Sequence, residues 1–106
     1  MKWVLLDFDN TLCENSGFPD FNPTKIIGTG VKAVNKIIAM DLTPVIFTAR
    51  PWSEFNIVKN WLRENNIPIK LIICGKPLAR CLIDDRNIEF NGDWDEAISK
   101  IDNFKK

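Results

Sequence analysis

Asp7 and Asp9 stand one residue apart in "LLDFDNTL", directly after the apolar run Trp3-Val4-Leu5-Leu6. Burying one unpaired carboxylate is costly, and burying two close together costs more. A divalent cation is the first candidate to offset that cost. Three other places carry matching chemistry: Thr48 in "VIFTAR", Lys76 in "CGKP", and Asp84-Asp85 in "LIDD". Together they supply four carboxylates, one hydroxyl and one ammonium. Oxygen donors with several carboxylates favour Mg²⁺. A metal-bound carboxylate can attack phosphorus and form an aspartyl-phosphate. A second carboxylate two residues on can protonate the leaving oxygen and then activate water. A lysine and a hydroxyl can hold the non-bridging oxygens as charge moves. The set suits phosphoryl transfer.

These groups act together only if the fold gathers them. The coarse pattern is strands alternating with helices. "KWVLLDF" is an apolar run of strand length, "TPVIF" a second strand, "IKLIIC" a third and "RCLID" a fourth, with "NIEF" as a short edge strand. "CENSGFPDFNPTKIIG" has the composition of a loop. "GVKAVNKIIAM" puts Val31, Val34, Ile37 and Ile38 on one helical face. "WSEFNIVKNWLRENN" does the same with Phe55, Val58, Trp61 and Leu62, with Asn65 and Asn66 as stop residues before Pro68. "GDWDEAISKIDNF" closes the chain; Asp93 can cap that helix with Glu96 three residues on. The order predicts a mostly parallel sheet with helices on both faces. The strand C-termini then share one edge, where open α/β sheets bind ligands. Asp7, Asp9, Thr48, Lys76, Asp84 and Asp85 all fall at or just after such ends.

Asp-x-Asp-x-Thr, then Thr, then Lys-Pro, then Asp-Asp: in this order the chain resembles the haloacid dehalogenase superfamily, from Trp3 to about Trp94. "TARP", "WLRENNIP", "KPLARCLIDDR" and "GDW" are further similar to its small capless hydrolase-like members. The resemblance implies a Rossmann-like three-layer α/β/α fold with no cap domain. It implies Asp7 as nucleophile and Asp9 as general acid/base. It gives phosphate binding to the Thr48 hydroxyl, the Ala49 backbone N–H and Lys76. It gives Mg²⁺ to Asp7, the Asp9 backbone carbonyl and Asp84, with Asp85 binding directly or through water. Members lacking the second aspartate tend to be dehalogenases, so Asp9 favours phosphate substrates. The specificity lies in the order and strand-end placement, since each residue alone has a blander reading as turn, cap or surface group.

Length and composition agree with one domain over residues 1–106. Lys plus Arg and Asp plus Glu are both 14, which argues against a generic nucleic-acid binder and leaves room for a local basic patch. Three cysteines without a Cys-x-x-Cys pair, and no histidine, argue against structural zinc and point to free buried thiols in a reducing compartment. No apolar run reaches membrane-spanning length, and an acidic residue comes too early for a signal peptide, so the expectation is a cytoplasmic protein with no membrane partner. The intervals from Thr11 to Val31 and from Thr48 to Lys76 are too short for a cap. The cleft is therefore expected to be open, for a phosphorylated small molecule, a phosphorylated polymer end, or a site closed by a second subunit in a homo-oligomer. Arg50 stands where it could touch substrate, with a surface salt bridge as an equally good reading. Rival readings are a non-catalytic receiver-like phosphoacceptor, disfavoured by the order of the acidic motifs, an inactive Mg²⁺- or phosphate-binding relative, and transfer to a hydroxyl other than water.

Overall fold

A computed structural model describes residues 2–102 and 104. Along the chain come β1 (Trp3–Leu6), β2 (Cys13–Asn15), β3 (Pro23–Ile26), α1 (Gly30–Ala39), β4 (Thr43–Phe47), a 3₁₀ turn at Trp52–Glu54, α2 (Phe55–Glu64), β5 (Leu71–Ile73) and α3 (Trp94–Asp102). β1, β4 and β5 form a parallel sheet with β4 in the centre. β2 and β3 pair separately as an antiparallel hairpin. The molecule is thus an α/β domain with a small parallel sheet and three helices.

Leu6, Ile46 and Ile72 lie in register across the sheet and join one buried cluster. Onto them pack Val34 and Ile37 of α1, Val58, Trp61 and Leu62 of α2, and Trp94 and Ile98 of α3. Burying such side chains stabilises the fold by about 1.5–3 kcal/mol each. Successive strand residues point to opposite faces, so Leu5, Val45 and Leu71 line the other side. There Val45 is buried, but Leu5 and Leu71 are 50% and 43% exposed. Full coverage of both faces, which three layers require, is not reached.

Several expectations hold in detail. α2 ends at Glu64, with Asn65 next and Asn66 in the left-handed region that asparagine tolerates. Asp93 caps α3: its Oδ1 accepts from the N–H groups of Asp95 and Glu96 at 3.0 and 3.2 Å. Glu96 does not complete a reciprocal box; it accepts from Asn91 and pairs with Lys100. On α1, Ile38 points outward and is 42% exposed. The end of the last predicted helix includes Asn103, which lies outside the described residues.

Other expectations are corrected. The predicted strands at 80–84 and 87–90 are not strands; neither joins a ladder, and Leu82 and Ile83 are exposed. The apolar run there is three residues between Arg80 and the Asp84-Asp85-Arg86 turn, in which the Arg86 N–H donates to Asp84 Oδ1. The segment read as loop after Leu12 contains the β2–β3 hairpin. Its strands are three and four residues long, and Gly17, Pro19 and Pro23 hide them in loop composition. Cys13 and Cys74 are buried free thiols as expected, whereas Cys81 is exposed.

Candidate active site

The parallel register sets the site. β1, β4 and β5 run the same way, so Asp7, Thr48 and the Cys74-Gly75-Lys76 turn leave the sheet at one edge. The Thr48 N–H donates to the Ile73 carbonyl at 2.9 Å, and the Lys76 N–H donates to the Thr48 carbonyl at 2.9 Å. The Gly75 N–H donates to the Arg50 carbonyl at 2.9 Å. This crossing needs Gly75 at φ +82°, where a side chain would be strained. The turn after β4 and the turn after β5 are thereby laced together, which fixes Lys76 beside Asp7.

Asp7 Oδ1 accepts from the Phe8 N–H at 2.9 Å and lies 3.7 Å from Lys76 Nζ. Asp7 Oδ2 is 3.4 Å from Thr11 Oγ1. The Asp7 side chain keeps 41% exposure and Lys76 keeps 32%, so both face solvent in an open cleft of about 610 Å³. Ala49 also lines this cleft. Lys76 Nζ sits 5.7 Å from the centre of the Phe47 ring, a second attraction that holds the ammonium near the sheet edge. Thr48 is buried, and its Oγ1 accepts from the Arg50 N–H at 3.1 Å.

Asp9 has a different surrounding. Its Oδ2 and Oδ1 accept from Arg50 Nε and Nη2 at 2.9 and 2.7 Å, a bidentate pair. Arg50 Nη1 donates to Glu54 Oε1 at 2.8 Å, and Nη2 also reaches the Phe21 carbonyl. The Arg50 side chain is only 7% exposed. Burial works against its charge, but Asp9 and then Glu54 outweigh burial and hold its pKa above the ordinary value. Arg50, for which the sequence leaves both a substrate contact and a salt bridge open, makes its charge pairs inside the chain while also lining the cleft. Arg50 and Glu54 are four apart at a helix start, a spacing that signals a side-chain pair; the partnership with Asp9 and Phe21 has no local sequence signal.

Asp84 and Asp85 are exposed. Asp84 lines a second cavity of about 1040 Å³ that runs along β1 and also touches Asp7, Thr11 and Lys76. Among the described residues no group of three or more His, Cys, Asp or Glu side chains converges to hold a metal ion. The Asp9 side chain is held by Arg50, which leaves its backbone carbonyl outside that pair, and Asp7 and Asp84 line one cavity; a hard cation fits oxygen donors of this kind. The structure therefore brings Asp7, Asp9, Thr48, Ala49 and Lys76 to one edge, with Asp84 on the adjoining cavity and Asp85 exposed in the turn after it.

No protein-family model and no curated protein sequence matches the chain. Among solved structures, the fold is similar to the crystal structure of a structural-genomics target from Vibrio cholerae. The two are 21% identical, with a TM-score of 0.65, over 95% of this chain and 99% of that one. At that identity the likeness concerns the fold.

Proposed function

We propose that the chain is a Mg²⁺-dependent phosphohydrolase of the haloacid dehalogenase type, on a capless Rossmann-like domain, acting through an aspartyl-phosphate. The observation that carries the reading is the approach of Lys76 Nζ to Asp7 Oδ1, 3.7 Å, at the edge where β4 delivers Thr48 and Ala49. A half-exposed carboxylate with an ammonium beside it suits attack on a phosphate monoester, because the cation reduces repulsion between the two anions.

An oxygen of Asp7 bonds to phosphorus as the ester oxygen departs, and Asp9 supplies the proton that the leaving alkoxide takes. Asp9 then accepts a proton from water, whose oxygen attacks phosphorus and releases phosphate and the Asp7 carboxylate. Arg50 occupies two of about four acceptor sites on Asp9, which also lines the cleft. Lys76 balances charge on the phosphoryl oxygens throughout. Mg²⁺, when bound, supplies charge neutralisation and orientation of the phosphoryl group. Its donors in this reading are Asp7, the Asp9 carbonyl and Asp84, with Asp85 direct or through water. Asp84 lines the same cavity along β1 as Asp7.

The test is p-nitrophenol release from p-nitrophenyl phosphate with Mg²⁺ and with EDTA, for wild type and Asp7→Asn. The proposal predicts turnover only with metal and only with Asp7. Metal-dependent turnover that persists in Asp7→Asn overturns the nucleophile assignment.

A further inference from the structure

Arg50 joins three parts of the chain that are remote in sequence. Its guanidinium holds both oxygens of Asp9, one oxygen of Glu54 at the start of α2, and the Phe21 carbonyl in the β2–β3 loop. Its main-chain N–H and carbonyl are tied to Thr48 Oγ1 and the Gly75 N–H. The guanidinium carbon also lies 5.6 Å from the centre of the Phe8 ring, on the residue between the two aspartates. A lysine could not reproduce this, because a single ammonium lacks the rigid planar fork.

The loop end carries an independent sign of being held. Phe21 sits at φ 49°, a left-handed conformation that a bulky side chain keeps only when its surroundings fix it. Its N–H donates to the Gly17 carbonyl at 2.8 Å, and Ser16 and Asn22 bond each other through Ser16 N–H to the Asn22 carbonyl and Asn22 N–H to Ser16 Oγ, both 2.9 Å. Phe21 lines the same cleft as Asp7, Asp9 and Lys76.

We propose that Arg50 is a positioning residue: it fixes the Asp9 carboxylate and pins residues 16–22 as a wall of the cleft, so that the hairpin shapes the site in place of a separate cap. The catalytic consequence rests on the phosphohydrolase reading; the pinning does not.

Amide hydrogen exchange and steady-state kinetics test the two parts separately. In wild type the amides of Ser16, Phe21 and Asn22 are expected to be protected. In Arg50→Lys their exchange is expected to rise by about tenfold, the equivalent of one lost hydrogen bond, while amides of α1 stay unchanged. With p-nitrophenyl phosphate, Arg50→Lys and Arg50→Ala are expected to lower kcat by about 100-fold through misplacement of Asp9. KM should change little, because Arg50 does not carry the phosphate. Millimolar guanidinium should restore part of kcat in Arg50→Ala.

Equal loop protection in wild type and a folded Arg50→Lys overturns the pin. Loss of kcat and KM together without guanidinium rescue overturns the positioning role and leaves a structural one. If neither variant folds, wild type decides: an unprotected loop overturns the proposal, and a protected one sustains it. A loop that loosens in Arg50→Lys while wild type hydrolyses no ester keeps the pin and removes the phosphohydrolase reading.

Discussion

Cys13 has no exposed surface, and its thiol donates to the carbonyl of Phe8, the residue between Asp7 and Asp9, at 3.7 Å. Burial pushes its thiol from 9.0 up to about 12, and the negative charge of Asp9 adds to the shift. The native state therefore keeps a proton that the unfolded chain gives up. Stability from this group is fully present below pH 9 and is lost as pH rises from 9 towards 12. We expect urea midpoints to fall across that window, and to fall less in Cys13→Ala; identical slopes would contradict the assignment. Alkylation of the native protein near neutral pH should mark Cys81, the exposed thiol, and spare Cys13 and Cys74. At this scale the placement of Asp7, Thr48 and Lys76 at one sheet edge was legible, because each follows an apolar run of strand length. The sequence did not show that Arg50 turns inward to Asp9, since that contact depends on two turns meeting in space rather than on any local pattern.

Among the elements, the helices were the most legible. The apolar stripe of α2 buries Val58, Trp61 and Leu62, and Trp61 meets Phe8 edge to face at 5.3 Å while its Nε1–H donates to the Thr24 carbonyl. A stripe of period 3.6 with its own stop residues needs no distant partner to be read. Short strands do need one. Residues 81–83 have strand composition but no ladder, and β2 and β3 have a ladder but turn-rich composition. The consequence falls on β1, which ends the sheet with Trp3 57% and Leu5 50% exposed, next to the cavity that Leu82 and Asp84 also line. An open edge of this kind is a template for a further strand. If Asp84 joins the metal as proposed, Mg²⁺ should slow amide exchange in 81–84 and in β1 of wild type, and Asp84→Asn should weaken both that effect and metal affinity. Exchange in these segments that ignores Mg²⁺ would remove Asp84 from the metal site.

For the whole molecule, the reading turns on what the chain has room for. The interval after Thr11 is used by the hairpin, and the interval from Thr48 to Lys76 by a 3₁₀ turn, α2 and β5, so neither holds a further domain. The shortness of both intervals was legible from the spacing of Thr11, Val31, Thr48 and Lys76 in the sequence. Coverage of the sheet was not legible, because it depends on where residues 76–92 lie, and that stretch has no periodic signal. The cleft that results is open, with Asp7 and Lys76 half-exposed at its floor and Phe21 and Leu78 at its walls. Among the described residues no helix is long and apolar enough to cross a membrane. The central claim is a covalent one, that Asp7 takes the phosphoryl group. Its most direct test is to quench wild type in acid during turnover of p-nitrophenyl phosphate with Mg²⁺, reduce with borohydride, and map the modified residue by mass spectrometry. The account predicts the acyl-phosphate at Asp7 and none in Asp7→Asn. Turnover with no modified residue, or with the phosphoryl group on another side chain, would contradict it.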